Sequence, residues 1–170
     1  MLQNTRSFKK IILLSLFTCL TALGYSQAKA SFPYTLSKAD IPPGFVVSGP
    51  FDKEEKELSI SANRGIVTNK ELIANIYEHI NVKAINRVYV TSYVPGKHAE
   101  DGMEVYIIEC RSKPLLKKEE SKLTREKGSR FLEKGNYLFI VWSTGNAFPK
   151  QVDAMAEHLK QRWSLTDISK

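Results

Sequence analysis

Two stretches of the chain carry a clear helical period. Leu72, Ile73, Ile76, Tyr77 and Ile80 recur at helical spacing and predict an amphipathic helix over about residues 69 to 80. Ahead of it, Thr68-Asn69-Lys70-Glu71 reads as a capping box: the Thr68 hydroxyl accepts from the Glu71 backbone N–H and the Glu71 carboxylate reaches back to the Thr68 N–H. Val67 and Leu72 stand at the positions of a hydrophobic staple, and Asn81 is the stop signal. The second stripe, Phe148, Val152, Met155, Ala156, Leu159 and Trp163, predicts a longer helix with Pro149 in its first turn. The tail beyond Trp163 is polar.

Period two governs the middle of the chain. Over residues 87 to 94, Val88, Val90 and Val94 share one face, and Arg87, Tyr89, Thr91 and Tyr93 share the other. A loop bounded by Pro95 and Gly102 leads to a second strand from Met103 to about Arg111, so the pair reads as an antiparallel hairpin. A further hairpin follows in Arg130-Phe131-Leu132, the turn Glu133-Lys134-Gly135-Asn136, and a strand over residues 137 to 142 that is apolar on both faces and therefore central. A short strand is expected at residues 44 to 48. Before it, Ser37-x-x-Asp40 resembles a capping box whose helix is ended within a turn by Ile41-Pro42-Pro43-Gly44. Residues 52 to 57 are charged throughout and should be solvated. Residues 58 to 62 fit strand or helix, and residues 113 to 128 fit a surface helix ended by Gly128 or a mobile connection. The sum is an α+β domain: an antiparallel or mixed sheet of about five strands with two main amphipathic helices packed on it.

The first thirty of the 170 residues change this picture. Arg6, Lys9 and Lys10 precede an apolar run from Ile11 to Tyr25, and Ala28-Lys29-Ala30 forms a small-x-small site. That is the build of a secretory signal cleaved before Ser31, leaving a single domain at residues 31–170 in the periplasm or outside the cell. About 15 apolar residues rising 1.5 Å each span roughly 22 Å, short of the roughly 30 Å of a hydrocarbon core, so no transmembrane segment is expected after cleavage. Around Cys19, Phe17 and Thr18 do not fit a lipobox. The segment also holds four bases and no acid, so the formal charge of +7 falls to +3 in the remainder, 21 bases against 18 acids. That removes the net-charge argument for a nucleic-acid partner. With 42% apolar and 25% charged residues the chain is neither disordered nor membranous by composition. Cys110 is the one cysteine left, so no internal disulfide forms. In an apolar strand it reads as a small buried side chain, with an intermolecular bridge or a nucleophile as the alternatives.

Candidate chemistry is sparse. His79, His98 and His158 are scattered without ligand spacing, so no metal is expected; no cofactor fingerprint, nucleophile elbow or P-loop occurs either. Glu109, within a strand, needs Arg111 or another donor if that side is covered, and otherwise faces solvent. The stripe Arg87, Tyr89, Thr91 and Tyr93 is either a wet surface for a ligand or partner, or packing beneath a helix. Residues 111 to 134 carry nine bases and four acids, a local +5 against −2 for the rest of the mature chain. Lys117, Lys118, Lys122, Arg125 and Lys127 there form either a solvated helix or a basic surface for an anionic lipid, lipopolysaccharide, peptidoglycan or acidic protein.

The opening Asp40-Ile41-Pro42-Pro43-Gly44, a helix before a tyrosine-rich hairpin, and a final Gly135-Asn136-Tyr137-Leu138 strand leading into an amphipathic helix resemble small exported bacterial α+β domains of the PsbP and Mog1 kind. The likeness is one of layout over most of residues 36 to 163. It implies accessory, binding or assembly proteins rather than a shared chemistry. The functional expectation is a non-enzymatic binding or accessory domain of the cell envelope, with an unknown envelope protein or a small ligand as partner. The alternatives are a small hydrolase assembled from distant residues such as Glu109, His98 and Ser92, and a structural or assembly subunit.

Overall fold

Alternation on strands and stripes on helices are satisfied by one antiparallel sheet with helices on both faces. The computed structural model describes residues 31–76, 80–96, 101–123 and 128–169. The chain divides into two units, Met1–Pro33 and Tyr34–Lys170, and the fold is that of the second. The expected signal at residues 1–30, with Tyr77, His79, His98, Arg125 and Lys127, lies outside the described residues.

Seven strands are present among the described residues: β1 (Val46–Val47), β2 (Gly65–Val67), β3 (Ile85–Val94), β4 (Met103–Cys110), β5 (Arg130–Lys134), β6 (Tyr137–Ser143) and β7 (Thr166–Asp167). Their order is β1-β3-β4-β6-β5-β7, with β2 also on the outer side of β3, and every pairing is antiparallel. The β3–β4 and β5–β6 hairpins fall where the alternation puts them, and β6 is central. Gly135, at φ 62°, supplies the left-handed residue of the two-residue β5–β6 turn. The strands beyond the expected five are short edge pieces. One of them corrects the reading of the tail: Leu165 is buried, Thr166–Asp167 pairs with β5, and the Ile168 N–H donates to the Phe131 carbonyl at 2.9 Å.

Among the described residues four α-helices accompany the sheet: α1 (Lys53–Leu58), α2 (Lys70–Ala74), α3 (Lys113–Glu120) and α4 (Pro149–Trp163). The charged residues and the first of the undecided stretch form α1, which is capped by Asp52, with Glu55 closing a capping box, and buries none of its residues. Ile60 and Ala62, just after it, are buried. The helix expected over residues 69 to 80 is shorter, and its cap is Asn69 rather than Thr68. Asn69 Oδ1 accepts from the N–H groups of Glu71 and Leu72, a role in which Asn outranks Thr. Asn75 ends the helix, and the bonds there tighten to the i→i+3 kind, from Asn75 N to Leu72 O and Ile76 N to Ile73 O. The segment after β4 forms α3, capped by Ser112 with Pro114 in its first turn.

Successive residues of β3, β4 and β6 fall into cross-strand rungs that alternate between the faces. On the face covered by α2 and α3, Val88, Ile108 and Leu138 make one rung and Val90, Tyr106 and Ile140 the next. These join Leu72, Ile73, Leu116 and Phe131 in one buried cluster, where each large aliphatic side chain contributes roughly 1.5–3 kcal/mol. The opposite face carries Ile107, Phe139 and Val141 and receives α4, whose Val152, Met155, Ala156 and Leu159 are buried; Trp163 closes on Phe139 at 5.7 Å. The Cys110 thiol lies in the first layer, where burial, reinforced by Glu119, Glu120 and Glu109, pushes its pKa up to about 12.

Candidate functional site

The residues singled out by pattern are mostly engaged inside the fold. Arg87 Nε meets Glu109 Oε2 at 2.5 Å, so Glu109 takes its partner from β3 rather than Arg111. The Tyr89 hydroxyl accepts from Leu36 N at 3.2 Å and lies 3.3 Å from the Leu36 carbonyl. Thr91 and Tyr93 are buried, and desolvation pushes the Tyr93 hydroxyl up to about 12. A groove of about 370 Å³ passes Tyr89, Thr91 and Tyr93. Ser92 and Glu109 sit on opposite faces of the sheet, so the suggested trio with His98 is not brought together by these two. In the basic segment, Lys117 bridges Glu120 at 2.9 Å and Glu133 at 2.6 Å, and Lys122 pairs with Glu119 at 3.0 Å. Lys118 is exposed.

One buried carboxylate looks catalytic until its partners are counted. Asp40 packs against α4, its side chain 2% exposed. Oδ1 receives His158 Nε2 at 2.8 Å and the Arg162 guanidinium, while Oδ2 takes the backbone N–H and the hydroxyl of Ser37. Desolvation alone would raise its pKa, but the bonds from His158, the Ser37 backbone, Arg162 and the Ser37 hydroxyl outweigh that and hold it well below the usual carboxylate range. Both oxygens are spent, so Asp40 is a clamp between the 37–40 turn and α4.

Glu104 is different. On the face of α2 and α3 the third rung is Ser92, Glu104 and Trp142, so the apolar layer gives way to polar groups at one end of the sheet. Ser61, from the turn after α1, donates to Glu104 Oε2 at 2.9 Å, and the Tyr106 hydroxyl donates to the same oxygen. The two hydroxyls are 2.8 Å apart, and Ser92 Oγ donates to the Ser61 carbonyl at 3.2 Å. Behind them the buried indole Nε1 of Trp142 forms no well-aligned hydrogen bond, although it lies close enough to favour the charged carboxylate. Burial pushes the Glu104 pKa up; Tyr106, Ser61 and Trp142 pull it back without cancelling the shift.

The other carboxylate oxygen, Oε1, accepts no hydrogen bond among the described residues and is not sealed from solvent. Glu104 lines a groove of about 430 Å³, toward the low end of the range for small-ligand sites. Phe51, Leu58, Ala62 and Val94 supply apolar wall, and Ser48, Ser59 and Thr144 add hydroxyls. Leu58, at the mouth, is 69% exposed. Gly102 sits in the wall where a Cβ would come within 2.9 Å of the Tyr93 carbonyl, so bare backbone is needed there.

Glu104, Tyr106 and Ser61 were not among the residues marked by sequence. The available signal was parity: Glu104 shares the face of Tyr106, Ile108 and Cys110, an acid in register with core positions. Among the described residues no group of His, Cys, Asp and Glu is arranged to hold a metal ion, and no helix is long and apolar enough to cross a membrane. Compared with family models, curated proteins and solved structures, the chain matches none.

Proposed function

We propose that this protein is an exported, non-enzymatic binding domain of the cell envelope, and that its site is the groove in front of Glu104. The export half rests on the charged, apolar and small-x-small sequence of residues 1–30. The binding half rests on one observation: a largely buried carboxylate that lines a groove with apolar walls has one oxygen fixed by two hydroxyls and the other without a hydrogen bond among the described residues. Fixed polar groups at the end of an apolar recess orient a ligand without reorganising when it arrives.

A hydrolase is the second reading, and Ser61 Oγ donating to Glu104 is the geometry in its favour. Against it, the oxygen that would take the Ser61 proton already accepts from Tyr106, which weakens it as a base. Saponification of a simple aryl ester that disappears in Ser61→Ala would favour the enzyme.

The full chain, produced in a bacterial host and taken from the envelope fraction, should show by native mass spectrometry the mass of residues 31–170 plus a small added mass, reduced in Leu58→Ser. A bare chain whose groove amides also fail to shift across a chemically diverse fragment set in NMR would overturn the reading.

A further inference from the structure

We infer that the ligand of the Glu104 groove is a small primary amine carrying a short apolar tail, its ammonium on the open Oε1 of Glu104 and its tail between Phe51, Leu58 and Val94. The inference rests on the binding reading above and names the chemistry. Among the described residues the groove lining contains two carboxylates, Glu55 and Glu104, and no Lys, Arg or His, so the field of these residues favours a cation and opposes an anion. The two acids are not equivalent. Glu55 Oε2 already accepts the Asp52 N–H at 2.9 Å in the α1 cap, and Glu55 is exposed. Glu104 is largely withdrawn from water and its Oε1 accepts no hydrogen bond among the described residues, and a donor that is itself charged compensates such a group best.

The donors already in place decide the charge state further. Ser61 and Tyr106 both donate to Oε2, an arrangement that suits an ionised carboxylate and would be half wasted on a protonated one. A single ammonium group completes the set at Oε1 with a charge-assisted bond. The tail follows from the wall: Leu58 stands 69% exposed at the mouth, and an alkyl chain lying against it and Phe51 removes that apolar surface from water.

The test is an NMR titration of the mature chain at neutral pH with hexylammonium, 1-hexanol and hexanoate, three probes with the same tail. Hexylammonium should shift the amides of Ser61, Ser92, Gly102 and Thr144 with roughly tenfold or greater preference over hexanol, the worth of one hydrogen bond to a charged group, and hexanoate should shift none. In Glu104→Gln the ammonium should fall to the level of hexanol while hexanol is unchanged; in Glu55→Gln the preference should persist. Leu58→Ser, an exposed change that leaves the core intact, should weaken ammonium and alcohol together. Added salt should weaken the ammonium alone in the unmutated protein, which keeps the charge test independent of any variant. Equal binding of amine and alcohol, or tighter binding of hexanoate, overturns the amine assignment and leaves the groove as a ligand site. Silence from all three probes also overturns it, and the fragment set then decides separately whether the groove binds anything.

Discussion

Replacing Tyr106 by Phe isolates one atom of the Glu104 cluster. The ring stays in the layer between Val90 and Ile140, so no cavity opens, and the loss is confined to a hydroxyl that donates to Glu104 Oε2 and lies 2.8 Å from Ser61 Oγ. Burial of Tyr106 and the adjacent Glu104 charge push the Tyr106 pKa far up, so the hydroxyl is a donor at every accessible pH. A hydrogen bond to a charged group contributes about 1.5–3 kcal/mol, which puts the cost near 2 kcal/mol at neutral pH. For a domain of this size that is a fall of roughly 6 °C in Tm. The pH dependence carries the sharper test. The Glu104 pKa is raised in the fold, so the native state takes up its proton before the unfolded chain does as the solution is acidified. Glu104 therefore costs stability at neutral pH, and that cost is relieved as pH falls through the folded value towards the ordinary 4.5. Once Glu104 is neutral the Tyr106 bond becomes neutral to neutral, worth about 1 kcal/mol, and the gap between Tyr106→Phe and the parent should shrink by about half. Urea denaturation of both proteins across this range reads the gap directly. A neutral-pH difference below about 0.5 kcal/mol, or one that widens in acid, refutes the charged-acceptor account.

Asp40→Asn should cost about 2–3 kcal/mol at neutral pH, since Asn replaces the charged acceptor shared by His158, Arg162 and Ser37. Because the folded Asp40 pKa lies below its ordinary 3.8, its contribution is full above that value and is lost as pH falls through the folded one. Parent and variant should converge in acid, and a constant gap in urea melts would contradict this. Arg130 joins Asp153, Glu157 and Asp167; desolvation alone would raise the Asp167 pKa, but the bonds from Ser169 and then Arg130 lower it to about 2. Arg130→Met should release β7, seen as faster hydrogen exchange at the Ile168 amide with little change in global stability; unchanged exchange there would show that the strand holds without the network. The Cys110 thiol, buried and shifted to about 12, should resist a disulfide reagent in the native protein and react on unfolding, and rapid native labelling would disprove its burial.

Much of the sheet and the long helix was legible because a period is a local property. Val88 to Val94 and Phe148 to Trp163 display their faces whatever they pack against. The misreadings came where a pairing or a competing cap decided the outcome. Nothing local marks Thr166 and Asp167 as a strand; they become one because β5 offers an edge and Arg130 holds Asp167. Thr68 and Asn69 both carry cap chemistry, and the stronger acceptor took the role. The tyrosine stripe was visible as a stripe, while its engagement depended on the Leu36 backbone, 53 residues away.

The site was hidden for a related reason. Glu104 and Glu109 stand on one strand and differ by five positions, so they face opposite ways. Glu109 meets Arg87 directly across the hairpin, a pairing that register alone supplies. Glu104 depends on Ser61, 43 residues earlier, and on where the helical cover stops. Along that face the rungs run from Val88, Ile108 and Leu138 through Val90, Tyr106 and Ile140 to Ser92, Glu104 and Trp142. Leu72, Ile73 and Leu116 join the apolar cluster with the first two, whereas α1, whose Glu55 and Leu58 line the same groove as Ser92 and Glu104 of the third, buries none of its residues and is held by its own cap. A sheet covered to its end would make an ionisable rung prohibitively costly. An uncovered end leaves Glu104 largely but not wholly inside the protein, which is the condition for a carboxylate to be both shifted and reachable. The polar rung and the short helical cover therefore imply one another, and the groove is where the two meet.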